Sequence, residues 1–331
     1  MNLSTTYSGL HLKNPIIAAS SGLTDSVEKI IDLEKQGAAA VVLKSLFEEE
    51  IIAEMDSKMK QMASTGFIYP ETLDYYDKPE NDEEESALKY LKLIKDAKAA
   101  VNIPIIASIN CVSSKNWTYF PRQIEEAGAD ALELNLFVLP TDFSRESADN
   151  ENVYFEIICE VLKHVKIPVS IKISFYFSNL GSMVQRLART GIKGIVLFNR
   201  FYSPDIDIDK MQVTSGFVLS NPAELALSLR WTAIMSDRIN CDIAASTGVH
   251  SGEDMIKQLL AGAKAVQIAS TLYKNYAGQI ETMLNELKEW MQSKEFNSIE
   301  EFRGKLAQKN IKNPAAYERI QFMKNFRGYR G

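Results

Sequence analysis

Short apolar runs alternate with amphipathic stretches along this chain, and six of the runs end in polar residues. Val41-Val42-Leu43 leads to Lys44, Ile105–Ile109 to Asn110, and Ala131-Leu132-Glu133-Leu134 to Asn135. Val169-Ser170-Ile171 leads to Lys172, Ile195–Phe198 to Asn199, and Ile243–Ala245 to Ser246-Thr247-Gly248. Near-continuous apolar runs suit parallel strands covered on both faces. The pattern predicts strands over 15–19, 39–44, 103–110, 131–138, 168–174, 194–199, 242–247 and 265–271. Helices are predicted over 26–36, 83–100, 117–127, 153–164, 180–190, 222–236, 252–261 and 276–292, with a loop from 199 to about 220. A hairpin over 5–13, turning at Ser8-Gly9, precedes them. Eight strand–helix units favour an α/β fold of the (β/α)8 TIM-barrel type over a doubly wound sheet. In such a barrel the carboxyl ends of all strands meet at one mouth, so the polar caps converge.

Residues 46–100 break the rhythm. Glu48-Glu49-Glu50 opens an amphipathic stretch, 65–79 is aromatic and turn-rich, and 81–85 is acidic. The excess, about 46–82, reads as an elaborated loop over the mouth after strand two, since long loops in compact domains are usually functional. For its acidic part, a solvated insertion is the competing reading. The tail, about 296–331, reads as helical and basic, covering a barrel face or a subunit partner. The whole chain, 1–331, is expected to form one domain.

With 331 residues, 46% hydrophobic and 24% charged, the chain has the composition of a globular protein with a large core. A net charge of −6 gives no footprint for nucleic acid. Met1–Thr6 lacks the basic and apolar pattern of a leader or anchor, so no membrane partner is expected. Cys111, Cys159 and Cys241 make neither a disulfide framework nor a metal motif, and His11, His164 and His250 are dispersed. A reducing, cytoplasmic compartment without a metal is expected.

The turn Ser246-Thr247-Gly248-Val249 and the segment Ala269-Ser270-Thr271 end strands seven and eight, where barrels commonly hold a phosphate. A plain turn, with Gly248 chosen for backbone freedom, is the simpler alternative. Lys44 and Lys172 end apolar strands, where a lysine is expensive to bury without a partner. Lys172 could form a Schiff base, as in a lyase, or a lysine could offset charge on a reduced flavin. Asn110, Asn135 and Asn199 favour the flavin, because amides match the donor and acceptor edge of an isoalloxazine ring. Glu133 is the obvious carboxylate nearby, without a clear role.

At this point the sequence resembles the dihydroorotate dehydrogenase family, in particular its class 1 flavin-mononucleotide (FMN) barrels. The likeness rests on Tyr7–Gly22, Lys44-Ser45, Ala107–Asn110, Leu132–Leu136, Ile171-Lys172 and Phe198-Asn199. It continues through Thr214-Ser215-Gly216, Asn221-Pro222, Ser246–Val249, Gln267–Ser270 and Phe296–Gly304. The resemblance implies an FMN-dependent oxidoreductase of pyrimidine metabolism acting on CH–CH bonds. It implies Ala19, Ser20, Lys44, Ser45, Asn110 and Asn135 along the flavin, with Lys172 stabilising its reduced form. Ser215, Gly216, Thr247, Gly248, Val249, Ala269 and Ser270 would surround the ribityl phosphate, and Asn199 would belong to the substrate amides. A homodimer and a separate electron-transfer subunit are both compatible with it.

The substrate half departs from the family pattern. Val138 stands where the family has a cysteine or serine base, and residues 46–80 contain no asparagine to grip a substrate ring. Thr141, Ser174, Cys111 or Tyr176 could supply another base. Alternatively the substrate differs, with Arg200 or Arg145 pairing an acid group and Tyr75, Tyr76 or Tyr176 stacking on a ring. A different substrate for the same flavin chemistry, a Schiff-base lyase using Lys172, and a catalytically silent flavin-binding protein are the alternatives carried forward.

Overall fold

The computed structural model describes residues 1–48, 86–111, 120–200, 204–216, 218–276 and 278–318. An antiparallel hairpin, β1 (Thr5–Tyr7) and β2 (Leu10–Leu12), comes first. The parallel strands follow as β3 (Ile16–Ala18), β4 (Ala40–Val42), a short β5 (Leu46–Phe47), β6 (Ile105–Cys111), β7 (Ala131–Leu136), β8 (Val169–Ile173) and β9 (Gly194–Leu197). A second hairpin, β10 (Pro204–Asp207) and β11 (Gln212–Ser215), intervenes before β12 (Asp242–Ser246) and β13 (Ala265–Ile268). The barrel runs β3-β4-β6-β7-β8-β9-β12-β13 and closes by pairing β13 with β3, while β5 adds to the edge of β6. Eight parallel strands with helices between them form the expected (β/α)8 barrel.

The first hairpin plugs the barrel floor. Tyr7 and Leu12 are buried against Ile17, Val42, Ile106, Val196 and Ala244 from the barrel interior. Full burial of apolar side chains of this size contributes about 1.5–3 kcal/mol each. Gly194 opens β9 at the point of closest approach, where a Cβ would lie 2.8 Å from the Tyr7 hydroxyl and also meet Ser8. Helix Gly252–Ala261 matches its expectation residue for residue, because the Ser251–Asp254 capping box and left-handed Gly262 mark both ends.

Several expectations need correction. The eighth strand stops at Ile268, and Ser270–Asn275 is a short helix, so Ala269 and Ser270 sit at a strand-to-helix corner. The loop after β9 contains the β10–β11 hairpin, which its Asp205-Ile206-Asp207 alternation could have revealed. The helix expected over 153–164 begins at Ser147, where Glu146 and Asp149 form a capping box. The described part of the tail is made of 3-10 turns and one short helix, Ala315–Glu318, so no continuous helix covers 296–318. The mouth loop beyond Glu48 up to residue 85, with Tyr75 and Tyr76, and the tail beyond Glu318 lie outside the described residues.

Candidate active site

Side chains two apart on a strand share a face, and the register stacks polar residues of three neighbouring strands around the barrel axis. Ser108 of β6, Glu133 of β7 and Ser170 of β8 are partners in one row. Asn110, Asn135 and Lys172 form the next row toward the mouth. A cavity of about 240 Å³ opens beyond the strand ends. Ala19, Ser20, Lys172, Asn199, Thr247, Gly248, Val249, Ala269 and Ser270, all expected at the site, line it.

The other expected residues divide. Ser45 stands behind Ser20: its N–H donates to Ser20 Oγ at 2.9 Å, and its hydroxyl shares a hydrogen bond with Ser108 Oγ at 2.7 Å. Asn135 holds Asn199, accepting from its Nδ2 at 2.6 Å. Asn110 is half-buried in register with Asn135 but is not part of the cavity wall. Lys44 is exposed, unlike buried Lys172. Gly216 follows β11 and is half-buried away from the lining, and Ser215 ends that strand. Thr141 lies on an exposed stretch that does not reach the cavity. Val138 is half-buried, its N–H donating to the Tyr154 hydroxyl at 3.1 Å.

The alternative substrate groups are mostly committed elsewhere. Arg200 lines the cavity but donates to the Glu224 carboxylate and to the Val218 carbonyl. Arg145 donates to the Asp149 carbonyl, and Tyr176 stacks on Phe175. Cys111 and Ser174 are buried.

Two residues, Gln267 at the cavity floor and Glu133 beneath it, matter more than the sequence suggested. Gln267, inside the run Ala265–Ile268, accepts from Lys172 Nζ at 3.1 Å through Oε1 and donates from Nε2 to Glu133 Oε2 at 2.5 Å. Lys172 Nζ lies 4.0 Å from Glu133 Oε1. Burial pushes the Glu133 carboxyl up and the Lys172 ammonium down, and their mutual attraction opposes both shifts. A polar residue inside an apolar strand was the available signal for both Glu133 and Gln267.

The opposite end of the cavity is built from backbone. Thr247 and Gly248 are successive left-handed residues, with φ of 72° and 80°. Their turn is held by Thr247 Oγ1 donating to the Phe198 carbonyl at 3.1 Å. The N–H groups of Gly248 and Val249 have no protein acceptor among the described residues. Such a concave run of N–H groups suits an anion. Ser220 crosses this end: its N–H donates to Ser270 Oγ, Lys274 Nζ donates to its carbonyl at 2.6 Å, and its hydroxyl meets His250 Nε2 at 3.0 Å. Sequence reading missed this latch, whose members come from three separate segments.

His250 gives a pH expectation. Burial, with the nearby Lys274 charge second, lowers its pKa below the ordinary 6.5. A depressed histidine leaves stability undiminished above about 6.5 and costs stability as pH falls below that value. Urea midpoints compared at about pH 7.5 and about pH 5.5 should fall more in the wild type than in His250→Gln.

Among the described residues, no group of three His, Cys, Asp or Glu side chains is placed to hold a metal ion, and no helix is long and apolar enough to cross a membrane. The fold and cavity thus define a (β/α)8 barrel whose mouth joins a buried lysine to a left-handed turn that presents two N–H groups. The family model for dihydroorotate dehydrogenase matches residues 2–291, and the chain belongs to that family of oxidoreductases. It is 30% identical to the dihydroorotate dehydrogenase B (NAD(+)) catalytic subunit of Thermoplasma volcanium, over 92% of this chain and 98% of that protein. It is 25% identical to the NAD-dependent dihydropyrimidine dehydrogenase subunit PreA of Escherichia coli, over 94% of this chain and 78% of that protein.

Proposed function

We propose that this chain is an FMN-dependent oxidoreductase that acts on the CH–CH bond of a small dihydropyrimidine-like substrate. The observation that carries this reading is the pairing, in one cavity, of the Lys172–Gln267 floor with the Thr247–Val249 turn. These groups fit FMN. The free N–H groups of Gly248 and Val249 suit its phosphate, and a Cβ on Gly248 would strike the backbone of Leu225 and Glu224. Lys172 supplies positive charge to the floor, while Ser20 and Asn199, the latter held by Asn135, supply donors and acceptors. When bound, FMN would supply a hydride acceptor at its N5.

The protein's part is to bind, orient and tune charge. Gln267 and Glu133 fix the Lys172 ammonium, which favours negative charge in the cavity electrostatically. The same contacts weigh against a Schiff-base lyase, whose lysine must be a neutral, free nucleophile. Val138 has no group able to take a proton, so any base comes from elsewhere. A substrate other than dihydroorotate accounts for that change. The subunit names of the relatives support a separate electron-transfer partner, and a cytoplasmic location accompanies this reading.

The test is reconstitution with FMN followed by anaerobic titration with dihydroorotate, dihydrouracil and NAD(P)H while the flavin spectrum is followed. Stoichiometric FMN and bleaching by a dihydropyrimidine are expected. Absence of bound flavin would sink the reading. Bound flavin that no reductant bleaches would identify a silent binding protein instead.

A further inference from the structure

Beneath the cavity floor, Glu133 occupies a position that holding a cation does not by itself explain. It is fully buried, with Oε2 accepting from Gln267 and Oε1 lacking any hydrogen-bond donor. Lys172 Nζ, 4.0 Å from that bare oxygen, donates to the other end of the same amide and faces the cavity. Gln267 thus joins the carboxylate and the ammonium while each keeps capacity for a further partner.

Among the described residues, two phenols also feel the charge of Glu133. Tyr7 stands on the hairpin below, and Tyr90 on the helix Ser86–Ala100. Burial pushes both well up, and the charge of Glu133 adds to this, so both stay neutral. Among the described residues Lys172 is therefore the cation, 4.0 Å from Oε1, that favours the ionised form of Glu133 against its burial. The same ammonium serves any anion in the cavity.

We propose, resting on the reading that the cavity holds FMN, that Glu133 is a redox-linked proton acceptor. When the bound flavin is reduced, negative charge gathers on the cavity side of Lys172. One ammonium cannot then compensate two anions in a dry site, and the bare Oε1 takes up a proton. The process takes two electrons and two protons. One proton stays with the flavin, which is left singly negative, and the other forms the O–H bond on Glu133. In the enzyme both electrons come from the substrate C–H bond; in the test they come from an electrode.

The experiment is electrochemical reduction of FMN-loaded full-length protein, followed by infrared difference spectroscopy and by the pH dependence of the midpoint potential. A protonated carboxylic C=O band should appear on reduction in the wild type and be missing in Glu133→Gln. The pH slope of the potential should fall about twofold in that variant, from two protons per two electrons to one. No such band in the wild type overturns the proposal, whether or not the variant folds. Equal slopes in the two proteins overturn it as well. A chain that takes up no FMN, seen by absorbance beforehand, removes the earlier reading and this one with it.

Discussion

Replacing Lys172 with methionine is expected to destabilise the folded protein by about 3–5 kcal/mol, the range for removing one partner of a buried charge pair. Methionine fills much of the same volume, so the loss comes from charge rather than from a cavity. Glu133 would keep its bond from Gln267 Nε2, but its other oxygen would face no cation, and Gln267 Oε1 would lose its donor. The pH dependence follows from the carboxyl. Its pKa is already raised by burial with Lys172 opposing, and without Lys172 it rises further. A raised carboxyl contributes stability in full below its unfolded value, ordinarily 4.5, and loses it as pH rises toward its folded value. The K172M deficit should therefore be smallest near pH 4.5 and grow toward neutrality. The double variant K172M/E133Q should recover most of the stability, because replacing both members of a buried pair is often close to neutral. Urea unfolding of the four proteins across that pH range measures the cycle. A K172M deficit independent of pH and unchanged by E133Q would show that Lys172 acts by packing alone. In the FMN-loaded protein, K172M should also slow flavin reduction.

The barrel was legible because its signal is repeated and local. Each strand is an apolar run between caps and turns, and capping residues such as Ser251 and Asp254 fix helix ends within a few positions. The polar ends of those runs pointed to the mouth for the same reason. What stayed hidden depends on pairs distant in sequence. Gln267 and Glu133 are 134 residues apart, and neither has an evident use until β7, β8 and β13 bring them to one axis. Lys44 and Lys172 look equivalent as strand-end lysines, yet one is exposed and the other buried. Strand length separates them: β4 ends at Val42, two residues before Lys44, whereas Lys172 lies within β8. Thr141 offers a hydroxyl three residues beyond Val138 in sequence, but β7 ends at Leu136 and the chain runs into solvent before reaching it. Motif order marks the Thr247–Val249 end of the cavity, because backbone turns leave their mark in glycine and small residues. The substrate end depends on side chains whose neighbours a single sequence does not reveal.

Gly248→Val is expected to remove both stability and cofactor retention, and its comparison with a neighbouring change isolates the turn. At φ 80° a valine carries the steric cost of a left-handed residue, about 1–2 kcal/mol. Its Cβ would also run into the backbone of Leu225 and Glu224, where helix Leu225–Met235 begins, adding an overpacking cost of about 1–3 kcal/mol. Backbone on both sides cannot yield as a side-chain tip can, so the turn itself must shift. The N–H groups of Gly248 and Val249 then lose their common aim, and FMN retention should weaken at least about tenfold, equivalent to about 1.4 kcal/mol. Thr247→Gly is the informative contrast. It relieves the left-handed strain at φ 72° and gives up one hydrogen bond, Thr247 Oγ1 to the Phe198 carbonyl, but leaves the approach of Gly248 to Leu225 open. FMN retention in T247G should stay near that of the wild type, while thermal unfolding reports whether strain relief outweighs the lost bond. Equilibrium dialysis of FMN against the three proteins separates the cases. Equal losses in both variants would mean that the Thr247 hydroxyl, rather than the path of the backbone, holds the phosphate.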